Sequence, residues 1–476
     1  MSADIIALNA LPTLAHASLP PEGLAPLLRQ FDIPGPRYTS YPTIDQCTES
    51  VSGEALVDAL QARCVGGLKR PLSLYVHLPF CESVCYYCAC NKVVTKKHDR
   101  VQQYINRLEK EALLIAKAAT GNLSPVTQLH FGGGTPTFLT DQELLGVVNG
   151  LKVLFPFSAQ VEMSIEVDPR TVNDTRLLAL RSMGFNRLSF GVQDFNPEVQ
   201  KAVHREQSFE SVRDLMKAAR RLGFESINVD LIYGLPKQTT AGFAHTLDQL
   251  IELAPDRVAL YGYAHLPERF KPQRRIHSAD LPDAAGRVAL LAQAIEQMRR
   301  AGYDYIGMDH FAKPTDPLAV AKRQGRLHRN FQGYTTQPDA DLIGLGVSAI
   351  SRVGNVMVQN TRELDDYEDR IAQGQLAVFR GHLSSREDLI RHSAIMGLLC
   401  QGELHFDDFS QTHWIDFKTH FQAELDSLQP FEAAGLLVRT EDSIEVTEAG
   451  WFFIRPIAMC LDQYSRHSTL SRSKLL

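Results

Sequence analysis

Between Tyr75 and Lys92 the chain reads YVHLPFCESVCYYCACNK, which places Cys81, Cys85, Cys88 and Cys90 on one short stretch. Thiolates are soft ligands, so this crowding points to metal chemistry rather than packing. A structural zinc site pairs one Cys-x2–4-Cys knuckle with a second Cys or His pair further along, and no second knuckle follows here. Thiolates gathered on a single loop suit an iron–sulfur cluster better. If three of them hold a cubane cluster, one iron stays open for another ligand. A cluster that must deliver an electron at low potential also leads us to expect little cationic shielding around the loop. Cys47, Cys64, Cys400 and Cys460 stand singly and read as small buried side chains.

Other residues fit a ligand site. FGGGTPT, residues 131–137, offers glycines that let a backbone approach a ligand, but it lacks the Gly-Lys-Ser/Thr of a phosphate-binding loop. Glu166 in SIEVDP and Asp230 in INVDLIYGLP close apolar runs, where a carboxylate can face a ligand. Taken alone, each reads equally as a helix cap or a solvated carboxylate.

The elements that must position these residues are six strand candidates: LSLYVHL, TQLHF ending at Phe131, VEMSIEV at 161–167, RLSFGV at 187–192, SINVDLI at 226–232 and RVALYGY at 257–263. Amphipathic stretches such as RVQQYINRLEKEALLIAKAA and FESVRDLMKAARRLG separate them. Alternating strands and helices predict a parallel sheet with right-handed crossovers. Polar and glycine residues follow the strands at their C-terminal ends, the ligand-binding face of a barrel-like α/β fold. Six units predict an incomplete, TIM-like (β/α)6 barrel.

The chain has 476 residues, enough for two or three domains. A formal net charge of -6 is small for this length and argues against a whole-molecule attraction to nucleic acid or anionic membrane. AGWFFIRPIAMCL, the most apolar run, is interrupted by Arg455 and falls short of a membrane span. The N-terminal stretch lacks a basic residue before Arg29, so a signal or mitochondrial leader is not expected and the chain reads as cytoplasmic, with thiols kept reduced. We expect an N-terminal extension at 1–30, an arm at 31–70, the barrel and a following segment at 71–364, and a mainly helical, winged-helix-like domain at 365–476. Residues 401–450 hold eleven acidic residues against Lys418 and Arg439, so that last domain is not expected to bind nucleic acid. No long apolar stripe calls for a second copy, which points to a monomer.

Cys-x3-Cys-x2-Cys with Tyr87 before the last thiolate, at the end of a first barrel strand, resembles the radical S-adenosylmethionine superfamily. With PGPRYTSYPT at 34–43, FGGGTPTFL, GVQDF, AVHREQ, INVDLIYGLP, YGYAHLP and RNFQGYTTQPDADLIGLGVSAIS, the chain is similar, from about residue 30 onward, to the oxygen-independent coproporphyrinogen III oxidase family. Ala89 stands where many members have glycine and Tyr87 where some have phenylalanine; neither change removes a ligand.

The resemblance implies a 4Fe-4S cluster on Cys81, Cys85 and Cys88, with Cys90 an extra cysteine of open role. It implies S-adenosylmethionine, with a second molecule near the first, contacted by Tyr75, Tyr87, Gly133, Gly134, Thr135, Glu166, Gln193, Arg205, Asp230, Ala264 and Ile350. A 5'-deoxyadenosyl radical would take hydrogen from the β-carbon of a propionate of coproporphyrinogen III. Loss of carbon dioxide and one electron leaves a vinyl group, and two such events give protoporphyrinogen IX. An electron donor and an acceptor are therefore implied partners. Four propionates call for bidentate cations, for which Arg37 and Arg329 are candidates, with Tyr38 and His77 beside them. The rival is a haem-binding relative acting as a carrier; such relatives lack the counterparts of Cys90 and of the 34–43 arm.

Overall fold

Six parallel strands organise this computed structural model, which describes residues 21–63, 70–337 and 340–465. They are β1 (Leu72–Leu78), β2 (Val126–Gly133), β3 (Phe157–Val167), β4 (Arg187–Gln193), β5 (Ser226–Tyr233) and β6 (Arg257–Gly262). Each pairs in parallel with the next in chain order. The connections run through α1 (Asp99–Ala118), α2 (Asp141–Leu154), α3 (Asp174–Met183), α4 (Phe209–Arg221) and α5 (Thr240–Leu253). The arc is the incomplete α/β barrel that six strand-helix units predict.

Period-two alternation decides what each strand shows to either side. Leu72, Leu74, Val76 and Leu78 of β1 are fully buried, as are the corresponding Phe131, Ile165, Phe190, Val229 and Leu231 of β2 to β5, in one core with the helices' apolar faces. α4 shows the complementary pattern, burying Val212, Leu215, Met216, Ala218 and Ala219 while its arginines face out. The alternate strand positions face the interior and are polar: Tyr75, His77, His130, Ser164, Glu166, Ser189, Asn228, Asp230 and Tyr261. They bond one another across strands, as in His130 Nδ1···Ser164 Oγ at 2.6 Å and Ser189 Oγ to Asp230 Oδ2 at 3.2 Å.

The sheet does not stop at six strands. Beyond β6 lie β7 (Asp304–Gly307) and β8 (His310–Ala312), both antiparallel; on the β1 side lie β9 (Asp341–Leu345), parallel to β1, then antiparallel β10 (Ile350–Val353), β11 (Val356–Asn360) and β12 (Val378–Leu383). The twelve-stranded result exceeds the six-strand expectation because the added strands are short and join the arc through distant pairings, β9 on β1 and β8 on β6.

β12 falls inside the stretch expected to be helical yet completes the main sheet. After it come helix Arg386–Gln401 and a small sheet of Glu403–His405, Ser443–Val446 and Leu437–Arg439. The arm at 31–70 crosses back to this region, where Thr48 bridges Gly381. Within the expected N-terminal extension, Pro21–Phe31 is a helix that buries Leu24, Leu28 and Phe31. Residues 1–20 lie outside the described residues. No helix among the described residues is long and apolar enough to cross a membrane.

Candidate active site

At the C-terminal end of β1 the chain turns through Pro79 into the cysteine loop. Phe80–Cys81 pairs with Val93–Val94, closing the loop into a small staple. Cys81 and Cys85 are buried, Cys88 is half-buried and Cys90 is exposed. The three proposed ligands lie within one another's fields. The Cys81 thiol is pushed up to about 11 by burial, opposed by a hydrogen bond from Thr135 and reinforced by Cys88 and Cys85. Cys88 is held down to about 6 by hydrogen bonding with Cys90 and by the Lys92 ammonium, against burial. Among the described residues no three His, Cys, Asp or Glu side chains converge as ligands of one metal ion must. Three thiols gathered on one loop are compatible with a multinuclear cluster, whose thiolates sit on separate irons.

The expectation of few cations near the loop is not met. Arg205 Nη1 approaches Cys85 Sγ at 3.5 Å and Arg170 Nη2 does so at 3.7 Å, both also binding Asp168. Lys92 Nζ donates to Cys88 O at 3.1 Å. Charge-assisted donors stabilise thiolate, and here they come from β3–α3 and β4–β5 connections that the sequence does not place beside the loop. Arg205 is thus anchored to Gly191 O, Asp168 and Cys85 at once.

The three glycines are close-approach positions. A Cβ on Gly132 would lie 2.8 Å from Glu166 Oε1, one on Gly133 2.7 Å from His77 Cε1, and one on Gly134 2.6 Å from Pro79 O. Gly133, at φ +117°, donates its N–H to Glu166 Oε2 at 3.1 Å. Thr135 completes the turn by donating Oγ1 to Cys81 Sγ at 3.4 Å. One turn therefore ties the cluster loop to the Glu166 carboxylate.

Around Glu166, Tyr75 stacks on His130 with ring centroids 5.9 Å apart and bonds His77 Nδ1 at 3.1 Å. His77 Nε2 meets Asn91 O at 3.0 Å, so this histidine braces the cysteine loop rather than pointing at a ligand. Burial opposes ionisation of Glu166, but hydrogen bonds from His130 and Gly133 and their neighbours' charge hold its pKa below the ordinary value. Asp230 behaves oppositely: burial and the Glu166 charge push it up to about 7, despite hydrogen bonds from Asn228 and Ser189. Two interior carboxylates that repel one another make this wall of the interior anionic.

Gln193 sits at φ +72° where the β4–β5 register shifts, a bulge that ends the strand and re-aims its side chain. Tyr87 packs over Val199, Val203, Ile232, Leu235, Tyr263 and Ile276. Buried Gln273 donates to Tyr87 O at 3.0 Å and Ala264 O at 3.2 Å, joining the loop to the end of β6; nothing in the sequence marked this residue. Ile350 lies one strand over from Tyr75: Tyr75 is paired with Gly344, where a Cβ would lie 2.3 Å from Ile350 O. His265 Nδ1 bonds Tyr263 Oη at 2.9 Å.

The remaining candidates divide. Arg37 donates to Gly262 O at 3.4 Å and Arg329 to Tyr38 O at 3.2 Å, both facing the interior beside β6. Tyr38 is only 1 % exposed and its hydroxyl donates to Asp462 Oδ2 at 2.9 Å. Its side chain pins the arm to the C-terminal segment, so it is removed from the set of substrate contacts.

A partial barrel with a three-cysteine loop after its first strand and interior carboxylates beyond it defines a radical S-adenosylmethionine protein. The Radical SAM superfamily matches residues 75–250 and the HemN C-terminal domain matches residues 384–453. Oxygen-independent coproporphyrinogen III oxidases of Pseudomonas aeruginosa and Escherichia coli are each 46% identical, over 92% of this chain and 95% of those proteins. The coproporphyrinogen III oxidase structure from Escherichia coli superposes with a TM-score of 0.87 at 46% identity, covering 90% of this chain and 97% of that one. The chain belongs to the oxygen-independent coproporphyrinogen III oxidase family, whose cofactors are a 4Fe-4S cluster and S-adenosylmethionine.

Proposed function

We propose that the chain decarboxylates two propionates of coproporphyrinogen III oxidatively to vinyl groups, giving protoporphyrinogen IX in the cytoplasm without oxygen. The observation that carries this reading is the single turn that links the three-cysteine loop, through Gly133 and Thr135, to Glu166. When bound, the cluster and S-adenosylmethionine supply hydrogen-atom abstraction from the propionate β-carbon.

The other tasks fall to the chain. Cys81, Cys85 and Cys88 hold the cluster, and Arg170 and Arg205 stabilise the Cys85 thiolate. Glu166 and Asp230 hold cationic and hydroxyl groups of S-adenosylmethionine, with Tyr75 and Ile350 on one side and Gln193 and Ala264 on the other. That spread across strand ends supports two molecules side by side. The arm and the hairpin at 328–335 border the polar interior through Arg37 and Arg329 and would limit water at the reacting carbon. Loss of carbon dioxide leaves one electron, so an acceptor must take it up, and a separate donor must charge the cluster.

The test is anaerobic: reconstituted protein, coproporphyrinogen III, S-adenosylmethionine, a strong reductant and cell extract as acceptor source. Vinyl product, read as protoporphyrin fluorescence after oxidation, is expected. Cleavage of S-adenosylmethionine without product, together with tight haem binding, would overturn the assignment in favour of a carrier.

A further inference from the structure

Four arginines from four separate stretches meet beside β6. Arg37, from the arm, donates to Gly262 O. Arg287 lies over the end of β5, where a Cβ on Gly234 would be 3.4 Å from its Nε. Arg329, from the 328–335 hairpin, covers the Tyr334 ring at 4.7 Å. Arg455, in helix Ile454–Met459, pairs with Asp309 at 2.9 Å. Their fields overlap: burial first, then Arg455 and Arg287, lower the pKa of Arg37, and burial and Arg455 act likewise at Arg329. His310, held down to about 4 by burial and Arg329, brings no further charge at neutral pH.

Asp309 is the carboxylate in this group, and it is bound to Arg455. Among the described residues Arg37, Arg287 and Arg329 have no acidic partner within ion-pair distance, and Arg329 Nη1 is buried without a hydrogen bond. Glu166 and Asp230 stand across the interior, engaged by His130, Gly133, Asn228 and Ser189. Between the two groups, Tyr261 of β6 remains 44% exposed although it lies within the sheet, and it feels Asp230 and Glu166 on one side and Arg329 on the other. Solvent-accessible Tyr261 thus stands between an anionic group of side chains and a cationic one. Guanidinium charge withdrawn from water without a partner is costly, and an anion arriving there removes that cost.

Building on the reaction assigned above, we propose that Arg37, Arg287, Arg329 and Arg455 form a cradle for the carboxylates of the bound tetrapyrrole, whose grip follows carboxylate number. A tetracarboxylate is held, and a product that has lost two anchors is released. Planar guanidinium groups suit this task because each can take a carboxylate through two parallel hydrogen bonds.

Porphyrin fluorescence tests it on the cluster-loaded protein with S-adenosylmethionine, comparing coproporphyrin III, with four carboxylates, and mesoporphyrin IX, with two. A preference for the tetracarboxylate of on the order of tenfold or more is expected, shrinking as salt rises. Arg37→Gln and Arg329→Gln should each reduce the preference and together nearly remove it, the tetracarboxylate losing more affinity than mesoporphyrin, with iron content unchanged. Arg329→Lys should retain part of it. Because Arg455 holds Asp309, it is tested as Arg455→Gln with Asp309→Asn. No preference in the unmodified protein, or an undiminished one in the Arg37→Gln/Arg329→Gln variant, overturns the cradle. Preference without vinyl product supports the cradle while the reaction assignment fails; vinyl product without preference does the reverse.

Discussion

Cysteine spacing is readable one residue at a time because a cluster ligand is defined by its own thiolate. Replacing any one of Cys81, Cys85 or Cys88 by Ser should abolish assembly of the cluster, read as loss of bound iron and of the visible charge-transfer absorption; normal iron content in any of the three would remove that cysteine from the ligand set. The glycines were legible as types but not as contacts. Gly134→Ala would set a Cβ against two backbone oxygens, of Pro79 and Phe80, which cannot rotate away. A loss of about 1–3 kcal/mol is expected, seen as a lower Tm and a cluster lost faster on dilution, whereas Gly146→Ala, in the interior of α2 with nothing within 4 Å, should not lower Tm. Arg170 and Gln273 escaped notice because their roles exist only through partners on other strands. Tyr38 misled for the same reason, since a tyrosine in an arm shows nothing of the Asp462 that captures it.

Among the elements, strand alternation gave the six-strand arc and, by its polar half, the lining of the interior. What alternation could not supply is how the arc is held against the added strands. Glu111 of α1 is 1% exposed and accepts from Gly346 N at 2.7 Å, Asn360 Nδ2 at 2.6 Å and Tyr367 Oη at 2.8 Å, fastening the helix to the β9–β11 region. Burial pushes its pKa from 4.5 to about 7, against those hydrogen bonds. The raised folded value means the native state binds the proton more tightly than the unfolded chain. Its stabilising effect is complete below pH 4.5 and is lost as pH rises through 7. In Tm measured from pH 5 to 8, Glu111→Gln should therefore fall less steeply than the unmodified protein; parallel curves would show that Glu111 titrates normally.

Across the whole molecule, the helix Pro21–Phe31 meets the C-terminal module. Phe31 of the N-terminal helix stacks on Phe431 at 4.5 Å and meets Phe453 at 5.7 Å, so the first described helix is seated in the last module. Phe31→Ala should cost about 3–5 kcal/mol, appearing as a reduced Tm and earlier proteolysis of the C-terminal module; unchanged values would mean that the contact is incidental. Sequence by itself determined the cluster loop, the glycine turn, the parallel arc and the family resemblance, because ligand spacing, close-approach glycines and period-two alternation are local properties. Only the tertiary structure decided that strands 304–312 and 341–383 extend the sheet, that Arg170 and Arg205 converge on Cys85, and that Arg455, legible only as a break in an apolar run, stands with Arg37, Arg287 and Arg329. Charge in an interior is a collective quantity: its cost and its purpose depend on which groups share the space, and residues hundreds of positions apart acquire that relation only when the chain folds.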